Sequence, residues 1–101
     1  TNPQAYSTQA TPLSNGWLTV GEMHIDWTPA AWQLGSTTVV TMVYEHSLRK
    51  DGLLIAFNDA STDWVSWSDI ASELPGWNHS RAALGLPPIP PEALPPDPQH
   101  P

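Results

Sequence analysis

The chain has 101 residues, with 3 basic against 10 acidic side chains, a net charge of −7 and no cysteine. That balance repels a nucleic-acid backbone, and the missing thiols exclude disulfides and thiolate zinc sites. No apolar run approaches the roughly 18 residues that a membrane-crossing helix needs, so the chain reads as soluble, without membrane insertion and with any signal segment already removed.

Residues 1–16 carry no charge, and Tyr6 and Leu13 are their only large apolar groups, which predicts an extended arm. Asn15-Gly16 is a turn signal before a first strand from Trp17 to Trp27. Within it Leu18 and Val20 have one parity and Met23, Ile25 and Trp27 the other, so a bulge at Gly21 is expected to bring both sets to one face. Thr28-Pro29 reads as the cap and first residue of a short helix through Leu34, closed by Gly35. A long strand follows, from about Thr37 to Leu48.

Asp51-Gly52 suits the two-residue turn of a hairpin, whose tight geometry needs positive φ. With the tip there, Lys50 faces Leu53, Leu48 faces Ile55 and His46 faces Phe57. One face then gathers Val40, Met42, Tyr44, Leu48, Leu53, Ile55 and Phe57 as core, and the other, with Thr41, Glu45, Ser47, Arg49, Ala56 and Asn58, is mostly polar. A turn over Asn58 to Ser61 leads into a third strand, Asp63 to Trp67, in the register that buries Val65 and Trp67 and leaves Trp64 outward beside Leu54 and Ala56. Ser68 caps a short helix over 69–74 that Pro75-Gly76 stops, and Asn78 caps another over 79–84 that ends at Gly85. Residues 87–101 are proline-rich and read as an extended polyproline-II tail.

The expected architecture is α+β and β-rich: a small antiparallel sheet of about four strands with two or three short helices, forming one domain over residues 17–86 between the two arms. So small a core buries only about 60% of its unfolded surface, and the six tryptophans supply much of the apolar area.

Chemistry-bearing residues are few. Glu22, His24 and Asp26 alternate along one strand and could project together toward a metal, but no fourth ligand is placed by spacing, and a polar outer strand face accounts for them better. His46 falls on the expected core face, across the pleat from Glu45, which separates the two as a catalytic pair. Thr1 has neither lysine nor aspartate nearby in sequence to activate it as a nucleophile. Asn78-His79-Ser80 fits the N-glycosylation pattern, but helix capping explains Asn78 better. No phosphate loop, nucleophile elbow or paired-carboxylate signature occurs, so no catalytic, cofactor or metal residue is assigned.

Arms this poor in apolar groups cannot order themselves, and a neighbouring subunit is expected to hold them. The expected function is that of a non-enzymatic structural or accessory subunit of a larger assembly, such as a decoration or connector component of a virion, or a cytoplasmic complex. Its partners are other protein subunits, copies of itself included, and not nucleic acid. The candidate contacts are Tyr6, Leu13, Leu54, Trp64, Pro87, Pro88, Ile89, Pro90, Pro91 and Leu94. Two alternatives are an adaptor whose Pro87-x-x-Pro90, Pro88-x-x-Pro91 and Pro95-x-x-Pro98 spacings dock in a polyproline groove, and a small metal-dependent enzyme built on Glu22, His24 and Asp26.

Overall fold

Six strands form a single antiparallel sheet whose spatial order is the order of the chain. The computed structural model describes residues 9–96. In it β1 (Ala10–Pro12), β2 (Trp17–Val20), β3 (Met23–Asp26), β4 (Val40–Tyr44), β5 (Gly52–Phe57) and β6 (Thr62–Ser66) precede one long helix, α1 (Trp67–Ala83). The expected sheet of about four strands with two or three short helices is therefore corrected, and each difference has a local cause.

Gly21 makes a turn where a bulge was expected. Val20 pairs with Met23, and Gly21, at φ 61°, takes the first position of a two-residue hairpin that only glycine enters freely. One expected strand becomes β2 and β3, and the parity change between Val20 and Met23 is the signature of that turn. The expected N-terminal arm also contributes. Ala10, Thr11 and Pro12 pair with Val20, Thr19 and Leu18, and Pro12 is tolerated because β1 is an edge strand.

The β4–β5 hairpin does not turn at Asp51-Gly52. Tyr44 pairs with Leu54 and Val43 with Ile55, leaving residues 45–51 as a loop. His46 lies in that loop, its Nδ1 accepting from the Leu48 N–H, and Leu48 is 86% exposed instead of buried. The register slips between Val40 and Met42, so Val40 and Val43 share a face and Met42 and Tyr44 take the other. Gly52 is a buried strand residue opposite Ser66, and a Cβ there would lie 2.1 Å from the Val65 carbonyl oxygen. Close backbone approach, not positive φ, is what this glycine supplies.

Helix α1 runs through Pro75, where a stop was expected. Proline removes one backbone donor at a cost of about 3 kcal/mol. The continuous helix gains Ile70, Leu74 and Trp77 on the core and the buried Arg81. Its N-cap is Ser66 in place of Ser68, with the Ser66 hydroxyl donating to Asp69. The chain leaves α1 at Gly85, φ 77°, the expected C-terminal glycine. The expected Pro29 to Leu34 helix is a single 3-10 turn, Pro29–Trp32.

Among the described residues, α1 and the C-terminal segment lie on one side of the sheet. Trp17, Val43, Leu53, Ile55 and Val65 meet Ile70 of α1 and Ile89 and Ala93 of the C-terminal segment. Trp67 packs on this core as the first residue of α1, not as a strand residue, and its Nε1 donates to the Lys50 carbonyl. The segment after Gly85 keeps polyproline-like backbone at Pro90 yet is bound to the core, so the folded unit reaches beyond 17–86 at both ends.

Candidate functional site: an open apolar sheet face

Cross-strand partners point to the same side of a sheet, so the register assigns every strand residue to a face. The covered face holds the charges. Asp26 and Arg81, both fully buried, form an ion pair at 2.6 Å. Arg81 also donates to the carbonyls of Val40 at 2.7 Å and Pro87 at 2.8 Å, and its guanidinium lies 5.4 Å from the Trp17 ring centroid. The other Asp26 oxygen accepts from the Thr28 N–H. One side chain thus ties α1 to β3, β4 and the C-terminal segment. Asn78 completes the clasp by accepting from the Ile89 N–H, and Asn15 donates to the Pro88 carbonyl.

The opposite face carries two rows that cross all six strands. The first is Ala10, Val20, Met23, Tyr44, Leu54 and Trp64; the second is Pro12, Leu18, Ile25, Met42, Ala56 and Thr62. No charged side chain occurs in either row. None of these residues belongs to the two buried clusters, to which α1, the Pro29–Trp32 turn and the C-terminal segment all contribute. Among the described residues, then, no helix or tail segment closes this face, while the loop after β4 lays His46 edge-on to Tyr44, ring centroids 5.8 Å apart, and its strand side chains from β2 to β5 are half-buried. At about 4.8 Å per strand and 3.3 Å per residue the two rows span about 400 Å², within the size range of the functional patches of monomers.

Charge enters this face at one corner. The Arg49 guanidinium sits 3.8 Å over the Trp64 ring and forms an ion pair with Asp51 at 3.0 Å. Its hydrogen bond to Asp51 is the main reason that this carboxyl lies below its usual range. Arg49 and Lys50 are the two basic residues besides Arg81, so both exposed cations occupy the β4–β5 loop. Glu22, in the β2–β3 turn at the same end, accepts from the Ser47 N–H.

A second apolar feature lies at the other end of the sheet. Trp27, 67% exposed, and Trp32, 47% exposed, flank Pro29 around a cleft of about 410 Å³. Trp32 is held by its indole N–H, which donates to the Asp26 carbonyl, so its ring is fixed at the surface.

The expected metal trio does not converge: Asp26 is consumed by Arg81, Glu22 is in a turn, and the His24 Nδ1 faces the Thr19 hydroxyl at 2.9 Å. His24 and Asp26 point to the covered face and not to a polar outer one. Burial lowers the His24 pKa, with Glu45 opposing, and its Nε2 is buried without a partner. Among the described residues no three metal-capable side chains cluster, and no helix is long and apolar enough to cross a membrane.

Of the expected contact residues, the register brings Leu54 and Trp64 together on the open face. Leu13, Ile89, Pro90 and Leu94 pack within the chain, while Pro88 and Pro91 are exposed and Pro87 half-exposed. Tyr6, Thr1 and Pro98 lie outside the described residues. Sequence reasoning missed Arg81, which carries no motif, and placed Met42 and Tyr44 in the core because the loop over residues 45–51 changes which parity of β4 faces Leu53 and Ile55. No protein-family model matches this chain, and neither a curated protein nor a solved structure resembles it at a significant level.

Proposed function

We propose that the chain is a non-enzymatic accessory subunit that joins a protein assembly through its open sheet face. The observation behind this reading is that face itself: two uncharged rows across six strands that, among the described residues, no helix or tail closes, while the other sheet face is closed by a helix and a tail. Apolar area of this extent is unfavourable to leave in water, and aromatic residues such as Trp64 and Tyr44 are the types that dominate interface energetics. The polar groups elsewhere support the same reading, since Asp26, Arg81 and Asn78 are committed to holding the fold. An adaptor role for the proline-rich tail is less favoured, because Ile89 and Pro90 are buried in the chain's own core.

The test is the size of the particle that contains the chain in extracts of its source cell. The wild type is expected to migrate well above its own 11.0 kDa. Leu54→Lys, which places a charge on the open face, should migrate at the chain's own mass with its melting temperature unchanged within a few degrees. A wild-type chain that migrates alone under native conditions would overturn the reading.

A further inference from the structure

The sheet has two edges, β1 and β6, and they differ in what they offer. In an antiparallel ladder hydrogen-bonded and non-bonded pairs alternate, so one bond fixes where every later N–H and C=O points. The Leu13 N–H donates to the Trp17 carbonyl, which makes Thr11 and Thr19 a bonded pair and turns the backbone of Ala10 and Pro12 outward. Pro12 has no N–H to offer there, and proline at such a position guards an edge against further pairing. At β6 the Phe57 N–H donates to the Ser61 carbonyl and the Trp67 N–H to that of Asp51, so Ile55 with Asp63 and Leu53 with Val65 are the bonded pairs. Thr62 and Trp64 therefore turn their N–H and C=O away from β5. Among the described residues no backbone group of another segment bonds to these four groups, and β6 has no proline, lysine or bulge to blunt it.

We propose that β6 is the docking edge for an extended, basic segment of a partner protein, which adds a strand to the sheet. This goes beyond the open face, because it uses the backbone of β6 and not the rows of side chains. Main-chain bonds to Thr62 and Trp64 supply the attachment, and the residues that flank them supply the selectivity.

Charge selects the occupant. Asp63 lies within β6, Asp59 before it accepts from the Ser61 N–H at 3.0 Å, and Asp69 after it accepts from the Ser66 hydroxyl at 3.0 Å. Carboxylates thus accompany the whole strand, about 17 Å long. None of them has an ion-pair partner among the described residues, and Arg49, the cation at Trp64, is already paired with Asp51. A second β6 would set the same carboxylates against these, whereas lysine or arginine beside Asp63 complements them. On the other side of the added strand, the residue paired with Trp64 shares the open face with that ring and is apolar. The segment that fits therefore alternates apolar and basic residues.

Amide exchange of the purified full chain, read residue by residue, tests this with a synthetic probe. The probe is the end-capped peptide Lys-Val-Thr-Val-Lys-Val-Lys, which running antiparallel sets its central valine opposite Trp64 and a lysine opposite Asp63. In the chain alone the Thr62 and Trp64 amides should exchange about tenfold or more faster than those of Asp63 and Val65. With the probe at about 1 mM they should slow about tenfold or more. Methylating the N–H of the central valine keeps the charge and removes the donor to the Trp64 carbonyl, and should abolish the protection. Glutamate in place of every lysine should weaken binding about tenfold or more. In the protein, Thr62→Pro deletes an outward N–H that gives no bond to β5, so melting should hold within a few degrees while the probe binds about tenfold more weakly. Thr62 and Trp64 amides already slow in the dilute chain would show the edge covered by the chain itself, and slowing that grows with chain concentration alone would show a second copy there. Either result, a probe indifferent to the methyl group, or no protection by the probe would overturn the proposal. If it fails while Leu54→Lys still drops the chain from the larger particle in extracts, the accessory-subunit reading stands.

Discussion

The two faces of one sheet differ in a way that reverses the usual expectation. The covered face contains Asp26, His24 and Arg81 among its apolar residues, while no strand residue of the other face is charged from β1 to β6 and the Arg49 guanidinium meets it only at Trp64. Sheets with one wet face usually alternate apolar inside with polar outside. Here the buried charge is a fastener: Arg81 reaches an aspartate and two carbonyls from separate elements, and its removal would leave Asp26 unpaired in the interior. Among the described residues the open face has no such fastener, and only the β4–β5 loop touches it, through His46 at Tyr44 and Arg49 at Trp64. Stability and association are therefore expected to map to opposite sides of the same strands.

The sharpest way to break that comparison is Arg81→Met. Removing one member of a buried ion pair should cost about 3–5 kcal/mol, read from the urea midpoint, and Asp26→Leu in the same chain should recover a large part of it. Little loss in the single variant would mean that the ion pair does not hold the covered face. Next come two neighbours on β5. Ile55, fully buried, should lose about 2–5 kcal/mol on substitution by alanine, whereas Leu54→Ala should cost the monomer less than about 1 kcal/mol and act on association instead. Equal costs at the two positions would show that the face carrying Leu54 is not open.

Gly52→Ala tests the edge between the two. The added Cβ is directed at the Val65 carbonyl oxygen 2.1 Å away, and overpacking of this kind should cost about 1–3 kcal/mol and loosen β5 from β6, visible as faster amide exchange along that pair. A nearly neutral alanine would show that β5 and β6 do not approach each other this closely.

The smallest expected effect is with pH. Burial holds the His24 pKa below its ordinary 6.5, so the unfolded chain binds a proton more readily than the folded one. The stability contributed by neutral His24 is present above pH 6.5 and is lost as the pH falls from there through the lower folded pKa. Stability of the wild type should decline more steeply than that of His24→Gln across this window. Parallel curves would place His24 in water and off the covered face.

Local chemistry in the sequence determined what local chemistry controls. Val65 inward and Trp64 outward beside Leu54 and Ala56, the turn opened by Thr28-Pro29, and the helix stop at Gly85 were each legible, because turn residues and strict two-residue alternation decide them within a few positions. The rest was decided by contacts between distant segments. Alternation separates a strand into two faces without saying which will be covered; the long β4–β5 loop sets Val43 opposite Ile55 and sends Met42 and Tyr44 to the other face, and the slip at Thr41 returns Val40 to the core. Pro75 looked like a helix end until packing of Ile70, Leu74 and Trp77 outweighed one lost hydrogen bond. Arg81 looked like any surface arginine, and only the fold brings it to an aspartate 55 residues earlier, which draws α1 and the C-terminal segment to one side of the sheet.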